Sequence, residues 1–194
     1  MNTPTAQVVT DIIRRRRSLY PKMYNDQPIA EELIREILDN ANWAPTHRFT
    51  EPWRFRVFRG EALRRLGEFL SGQYRAGTPE SDFSDVKYKK MLDAPQRSGA
   101  VIAICMMRDP ESRVPEWEEI AAVASAVQNM WLTCTAHGLG SYWSTPGYIL
   151  RADQWLGLQP GERCLGLFYM GWYDHVELPA KRGNIDDKVL WINE

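Results

Sequence analysis

Residues Gly99–Met107 read GAVIAICMM, a run of strand length with no charge in it. Side chains of a strand point alternately to opposite faces, so a strand that is apolar at every position needs cover on both. The run is therefore placed centrally in a sheet. The strongest helical pattern follows it, over Glu118–His137. Ile120, Val123, Ala124, Val127, Trp131 and Cys134 recur there at three- and four-residue steps. Ala121, Ala122, Ala124, Ser125 and Ala126 keep the helix thin nearly all round, which suits packing on several sides. Gly138 supplies its left-handed stop.

The remaining elements fall around these two. Gln7–Arg16 reads as a short helix with Val8, Val9, Ile12 and Ile13 on one side. A second helix begins at Pro28, where a missing N–H costs nothing, and runs to about Trp43. Its apolar stripe is Ile29, Leu33, Ile37, Leu38 and Ala41. Trp53–Phe58 alternates apolar residues with Arg54 and Arg56 as a half-exposed strand. Helix is expected over Glu61–Tyr74, a mobile surface segment over Gly77–Val86, and one or two helical turns over Lys87–Ala94. Strands are expected at Tyr142–Thr145 and Arg163–Gly171, with a short helix at Asp153–Leu158 between them. Strands and helices do not alternate strictly, which favours α+β over a doubly wound sheet. From Trp172 the pattern gives way to an extended tail ending in Val189-Leu190-Trp191-Ile192. That apolar end needs cover, from a partner subunit or from its own domain.

At 194 residues a single domain spanning 1–194 is the expectation. A net charge of -1 gives no general argument for nucleic acid or an anionic membrane. No run approaches the roughly 18 apolar residues that cross a bilayer, no signal peptide is legible, and the cytoplasm is the default location. Cys105, Cys134 and Cys164 lie far apart in apolar runs and read as reduced, buried hydrophobes.

Side chains suited to hard chemistry are scarce. His47, His137 and His175 are too distant in sequence for a local metal chelate, and no G-x-S-x-G nucleophile motif occurs. His137-Gly138-Leu139-Gly140 lacks the third glycine of a dinucleotide fingerprint and closes a helix rather than opening one. Chemistry here would need a cofactor. Arg14–Arg17 with Ser18 can be a solvated helix end that complements the macrodipole, or an anion site, since guanidinium forks match phosphate geometry. With Lys181-Arg182 at the other end of the chain, a phosphate-bearing cofactor is plausible. Between Pro45 and Pro52 the chain is pinned into an irregular loop, either a plain connector or a place where a ligand's polar edge is read.

Taken together, five segments resemble the nitroreductase family of FMN-dependent oxidoreductases. They are Arg16-Arg17-Ser18 after the first helix, A-P-x-x-x-x-x-x-P-W-x-F at Ala44–Phe55, and K-Y-K-K-M-L-D-A at Lys87–Ala94. The small-residue helix ending at His137–Gly140 with Trp143 beyond, and the tail from Gly171-Trp172 to Lys181-Arg182, complete the set. The order is kept over nearly the whole chain, and the short length resembles the small, single-domain branch.

The resemblance implies an α+β fold with a central, mostly antiparallel sheet flanked by helices. It implies an intertwined homodimer with a swapped C-terminal tail and FMN at the interface. Arg16, Arg17 and Ser18 would hold the phosphate and ribityl chain, with Arg182 and Lys181 closing on the phosphate. Trp43 and His47 of the partner subunit would line the flavin site. Trp143, Ser144 and Thr145 would lie under or beside the ring, and Lys90 would contact the flavin region. Related proteins suggest nicotinamide contacts at Thr133–Gly138. The implied activity passes hydride from NAD(P)H through flavin N5 to a nitroaromatic, a quinone or a similar small acceptor. The alternatives are a non-catalytic flavin binder and a specialised enzyme of the same fold, such as a dehalogenase. Tyr20, Phe49 and Glu51 depart from the family pattern, where a basic residue, Asn and Gln are usual.

Overall fold

The computed structural model describes residues 3–174 and 178–193. His175 lies outside them. The strands are β1 (Trp53–Phe58), β2 (Ala100–Met107), β3 (Leu139–Ser144) and β4 (Glu162–Trp172). They form one antiparallel sheet in the order β1-β2-β4-β3. The helices are α1 (Pro4–Arg15), α2 (Glu31–Asn42), α3 (Glu61–Ala76), α4 (Asp85–Gln96), α5 (Glu116–Ala136) and α6 (Asp153–Leu156). The mixed fold with an antiparallel sheet is as expected, and β2 is interior.

The alternation of β2 explains its composition. Ile102, Ile104 and Met106 face a layer made by α2 and α5, packing on Ile37, Val123 and Met130. Val101, Ala103 and Cys105 face a layer containing Leu63, Leu66 and Leu70 of α3 and Leu156 of α6. An antiparallel strand covered on both faces reads like the buried strand of a parallel sheet. All three thiols are free and buried, as expected.

Several boundaries differ from expectation for identifiable reasons. α1 starts early because the Thr3 hydroxyl caps it, accepting from the Ala6 N–H at 3.2 Å. α2 begins at Glu31, not Pro28, because the chain first runs extended to bury Ile29. α4 has three turns rather than one or two, since Ser84 caps its start. Residues 77–86 are tied down rather than free: Phe83 stacks on Tyr74 with ring centres 5.2 Å apart, and the Ser84 N–H reaches the Tyr74 hydroxyl at 2.8 Å.

The largest departure concerns α1. None of its residues is buried, and Val8, Val9 and Ile13 are about half exposed. The apolar tail end is also uncovered, with Leu190, Trp191 and Ile192 near 80% exposed.

Residues 108–114, in the loop entering α5, are braced by buried charge. Glu119, 1% exposed, takes the Arg108 guanidinium and accepts from the Asp109 N–H at 2.9 Å. The Arg113 guanidinium and backbone N–H hold the Asp109 carboxyl down at about 2, below its usual 3.8. A carboxyl depressed on folding stabilises the native state above the unfolded value and loses that contribution as pH falls through the folded one. The stability gap between wild type and Asp109→Asn is therefore expected to be full at pH 6 and to close as the pH approaches 2. Urea midpoints of both proteins across that range check it, and a gap independent of pH would refute it.

Candidate functional site

The candidate site forms where the chain leaves α1. Arg16 is the C-terminal cap residue, its N–H still bonded to Ile12 O at 3.0 Å while its own backbone turns extended. The turn swings Arg16 and Arg17 off the helix and inward. The Leu19 N–H then bonds Ser141 O at 3.1 Å, which fixes residues 16–19 against β3. The Arg16 guanidinium lies 4.6 Å over the Trp131 ring of α5, and Trp131 Nε1 donates to Arg17 O at 3.2 Å. Arg17 Nε donates to Leu178 O at 3.1 Å, which brings the tail back to the same place.

The electrostatics there are one-sided. Burial lowers the Arg16 pKa, and Arg182 and Arg17 push it down further. Among the described residues, Arg16 Nη1 is buried without a hydrogen-bond partner. None of Arg16, Arg17, Lys181 and Arg182 is in an ion pair there. An unsatisfied buried charged donor is costly. Three guanidinium groups converging without a carboxylate suit a polyanionic group such as a phosphate, which fork-shaped donors bind well. The set therefore fits the phosphate end of FMN.

A cleft of about 440 Å³, reached from the same segment through Tyr20, is lined by Tyr20, Pro21, Lys22, Lys90, Asp93, Ala94, Arg97 and Tyr142. Tyr20 and Tyr142 form its aromatic wall, ring centres 4.9 Å apart. Burial raises the Tyr142 pKa, so its phenol stays protonated at neutral pH. Ser144 ends β3 opposite Leu167, with Thr145 just beyond it. The Trp143 indole N–H is committed to Leu165 O at 3.1 Å. Of the residues singled out from sequence, Arg16, Arg17 and Arg182 come together, with Lys181 preceding Arg182 in the chain. Lys90 lines the cleft, whereas Trp143 packs on the other face of the sheet, with the α2 and α5 layer, and Ser144 and Thr145 follow it. Ser18 is exposed beside the arginines.

Trp43 and His47 are not brought to this cluster. Trp43 caps α2 and is 84% exposed. His47 Nδ1 lies 2.6 Å from Glu118 Oε2, at the start of α5. Glu118 and Trp131 are thirteen residues apart on that helix, about 20 Å at 1.5 Å per residue. The loop between the prolines holds its shape through Thr46, whose hydroxyl accepts from the Glu51 N–H at 3.1 Å. Arg48, Phe49 and Glu51 have φ of 52, 55 and 41°, a left-handed conformation that costs energy without glycine. Such strain concentrates at functional segments, and Phe49 points out at 88% exposure. Thr133 and His137 line a second cleft with Glu36 and Asn40, between α2 and α5.

Sequence reasoning missed Tyr20, Lys22, Arg97 and Tyr142 as cleft residues and Trp131 as a partner of the arginines. Trp131 carried only a core signal, its position on an apolar helical stripe. Nothing local shows that this stripe meets the end of α1.

YfhC of Bacillus subtilis (strain 168), provisionally named as an NAD(P)H nitroreductase, is 30% identical over 186 residues, covering 93% of this chain and 92% of that protein. The chloronitrobenzene nitroreductase of Comamonas testosteroni is 38% identical over 231 aligned positions, covering 98% and 100%. A protein of Desulfovibrio desulfuricans, provisionally described as a nitroreductase and solved in complex with FMN, superposes with a TM-score of 0.72. It is 25% identical, with 98% of each chain covered. The sequence profile of the nitroreductase family matches residues 13–172, which takes in Arg16 and Arg17, the pinned loop, the cleft and all four strands, and stops short of Lys181 and Arg182. This chain belongs to the nitroreductase family.

Proposed function

We propose that this chain, one FMN-binding domain over residues 1–194, is an FMN-dependent NAD(P)H oxidoreductase working as a homodimer. Family membership supports a flavin-dependent oxidoreductase in general. The observation that carries the reading is the buried, partnerless Arg16 nitrogen among converging cations. Arg16, Arg17 and Ser18 bind the phosphate and ribityl chain, and Lys181 and Arg182 close over the phosphate. Lys90 meets the flavin in the Tyr20–Tyr142 cleft, and Trp143, Ser144 and Thr145 support the ring. When bound, FMN supplies the two-electron chemistry that no side chain here offers, taking hydride from NAD(P)H and delivering it to a small acceptor. A nitroaromatic is the favoured acceptor, given what the two named relatives are called, with quinones the next class.

The second copy has a physical rationale. Within one chain His47 lies far along α5 from Arg16, and Trp43 is turned out to solvent, so we assign completion of the site to Trp43 and His47 of the partner subunit. The exposed apolar residues of α1, of the pinned loop and of the tail end are surface that a second copy would cover. A swapped tail would bury Leu190, Trp191 and Ile192 on the partner. Free thiols suit a reducing compartment, and the cytoplasm is the proposed location. Among the described residues, no helix is long and apolar enough to cross a membrane.

The test is a visible spectrum of the purified protein, then anaerobic NADPH and NADH in turn. A flavin band near ~450 nm that bleaches supports both cofactor and donor. A band that persists would leave a flavin binder without this electron source. No band after FMN is added would refute the reading.

A further inference from the structure

We propose that Trp131 is a positioning residue for phosphate recognition, acting through Arg16 and Arg17. This rests on the FMN reading above and assigns a role to a residue that reading does not use. Three contacts define it. The Arg16 guanidinium lies 4.6 Å over the indole. The indole N–H donates to Arg17 O at 3.2 Å. From the other side, Trp131 meets Phe168 edge to face, ring centres 5.7 Å apart and planes at 82°. Phe168 is fully buried in β4, so the indole is backed by the sheet.

The choice of a ring rather than a carboxylate has a reason. A carboxylate would hold Arg16 by taking its N–H donors and cancelling its charge, and would compete with an incoming phosphate. An aromatic face attracts the guanidinium through its quadrupole, and Trp does so best. It fixes the plane of the fork while consuming no donor and no charge. That matches Arg16 Nη1, which is buried and without a partner among the described residues. It also adds an attraction that counters the coulombic repulsion of Arg182 and Arg17. The N–H to Arg17 O fixes the peptide just after Arg17, so one side chain holds Arg16 by its guanidinium and Arg17 by its backbone.

The bland alternative is that Trp131 only fills space between α5 and the sheet. Comparing FMN with riboflavin, which lacks the phosphate, separates the two. Dissociation constants of both flavins are measured by fluorescence quenching for wild type, Trp131→Leu and Trp131→Phe. In Trp131→Leu the Kd for FMN is expected to rise roughly 30-fold, the size of one desolvated cation–π contact, with riboflavin unchanged. Trp131→Phe keeps a face but loses the N–H, and should fall between. If the Leu variant does not fold, Trp131→Met fills the space without a π face and carries the same expectation. Equal weakening of both flavins, or no change in either, overturns the positioning role. A wild type that does not prefer FMN to riboflavin overturns the cofactor reading, and this inference with it. A wild-type preference that Trp131→Leu leaves intact overturns this inference alone.

Discussion

Arg16→Ala is expected to raise the Kd for FMN by roughly 10- to 150-fold, the 1.5–3 kcal/mol of hydrogen bonding to a charged group. The unliganded fold should survive. Arg16 sits just past the end of α1, outside both hydrophobic clusters. Its removal relieves repulsion from Arg17 and Arg182 and deletes a buried nitrogen with no partner among the described residues. The cost is one contact with Trp131. Thermal unfolding of the apo variant should therefore lie close to wild type, while protection by added FMN is largely lost. Fluorescence titration with FMN and riboflavin reads the affinity directly. An unchanged Kd for FMN would show that the phosphate is held elsewhere.

Gly166→Ala should be the most disruptive single methyl near the site. Gly166 has φ +136°, a conformation L side chains rarely adopt. A Cβ there would stand 2.4 Å from Trp143 Nε1, 2.6 Å from Ser144 O and 3.0 Å from Thr145 Cγ2. These are the three residues proposed to support the flavin ring, and one of the atoms is backbone that cannot rotate away. Backbone strain of about 1–3 kcal/mol adds to an overpacking cost of similar size, so a loss of about 3 kcal/mol is expected. For a chain of this size that is roughly 6–12 °C in Tm. FMN affinity should fall as well, because β3 must move. Gly72→Ala is the control: a Cβ on that α3 residue meets nothing within 4 Å, and helix propensity favours it. A Gly166→Ala protein that unfolds with wild type would refute the account of this strand.

Much of the fold could be read from local pattern, because burial on a regular element leaves a period. The apolar run at 99–107 marked the interior strand, and the three- and four-residue steps of 118–137 marked α5. The boundaries that slipped depended on caps such as Ser84, or on a residue such as Ile29 that stays extended to reach the core. The arginines could be suspected because guanidinium groups beside a serine suit a phosphate whatever the fold. Their convergence with Arg182 could not, since it depends on a tail returning across more than 160 residues to meet Arg17. Trp131 does pack against the core as its stripe position indicates, but its contact with the arginines was hidden for the same reason: a helical stripe states that a face is covered, not by what. α1 is the converse case, an apolar face that sequence marks for burial and one chain leaves open. The sequence by itself determined the elements, the central strand and the residue types able to hold an anion, because these follow from periodicity and side-chain chemistry. Only the tertiary structure decided which cations share one place, which ring lies against them and which faces remain uncovered, because those depend on contacts between residues far apart along the chain.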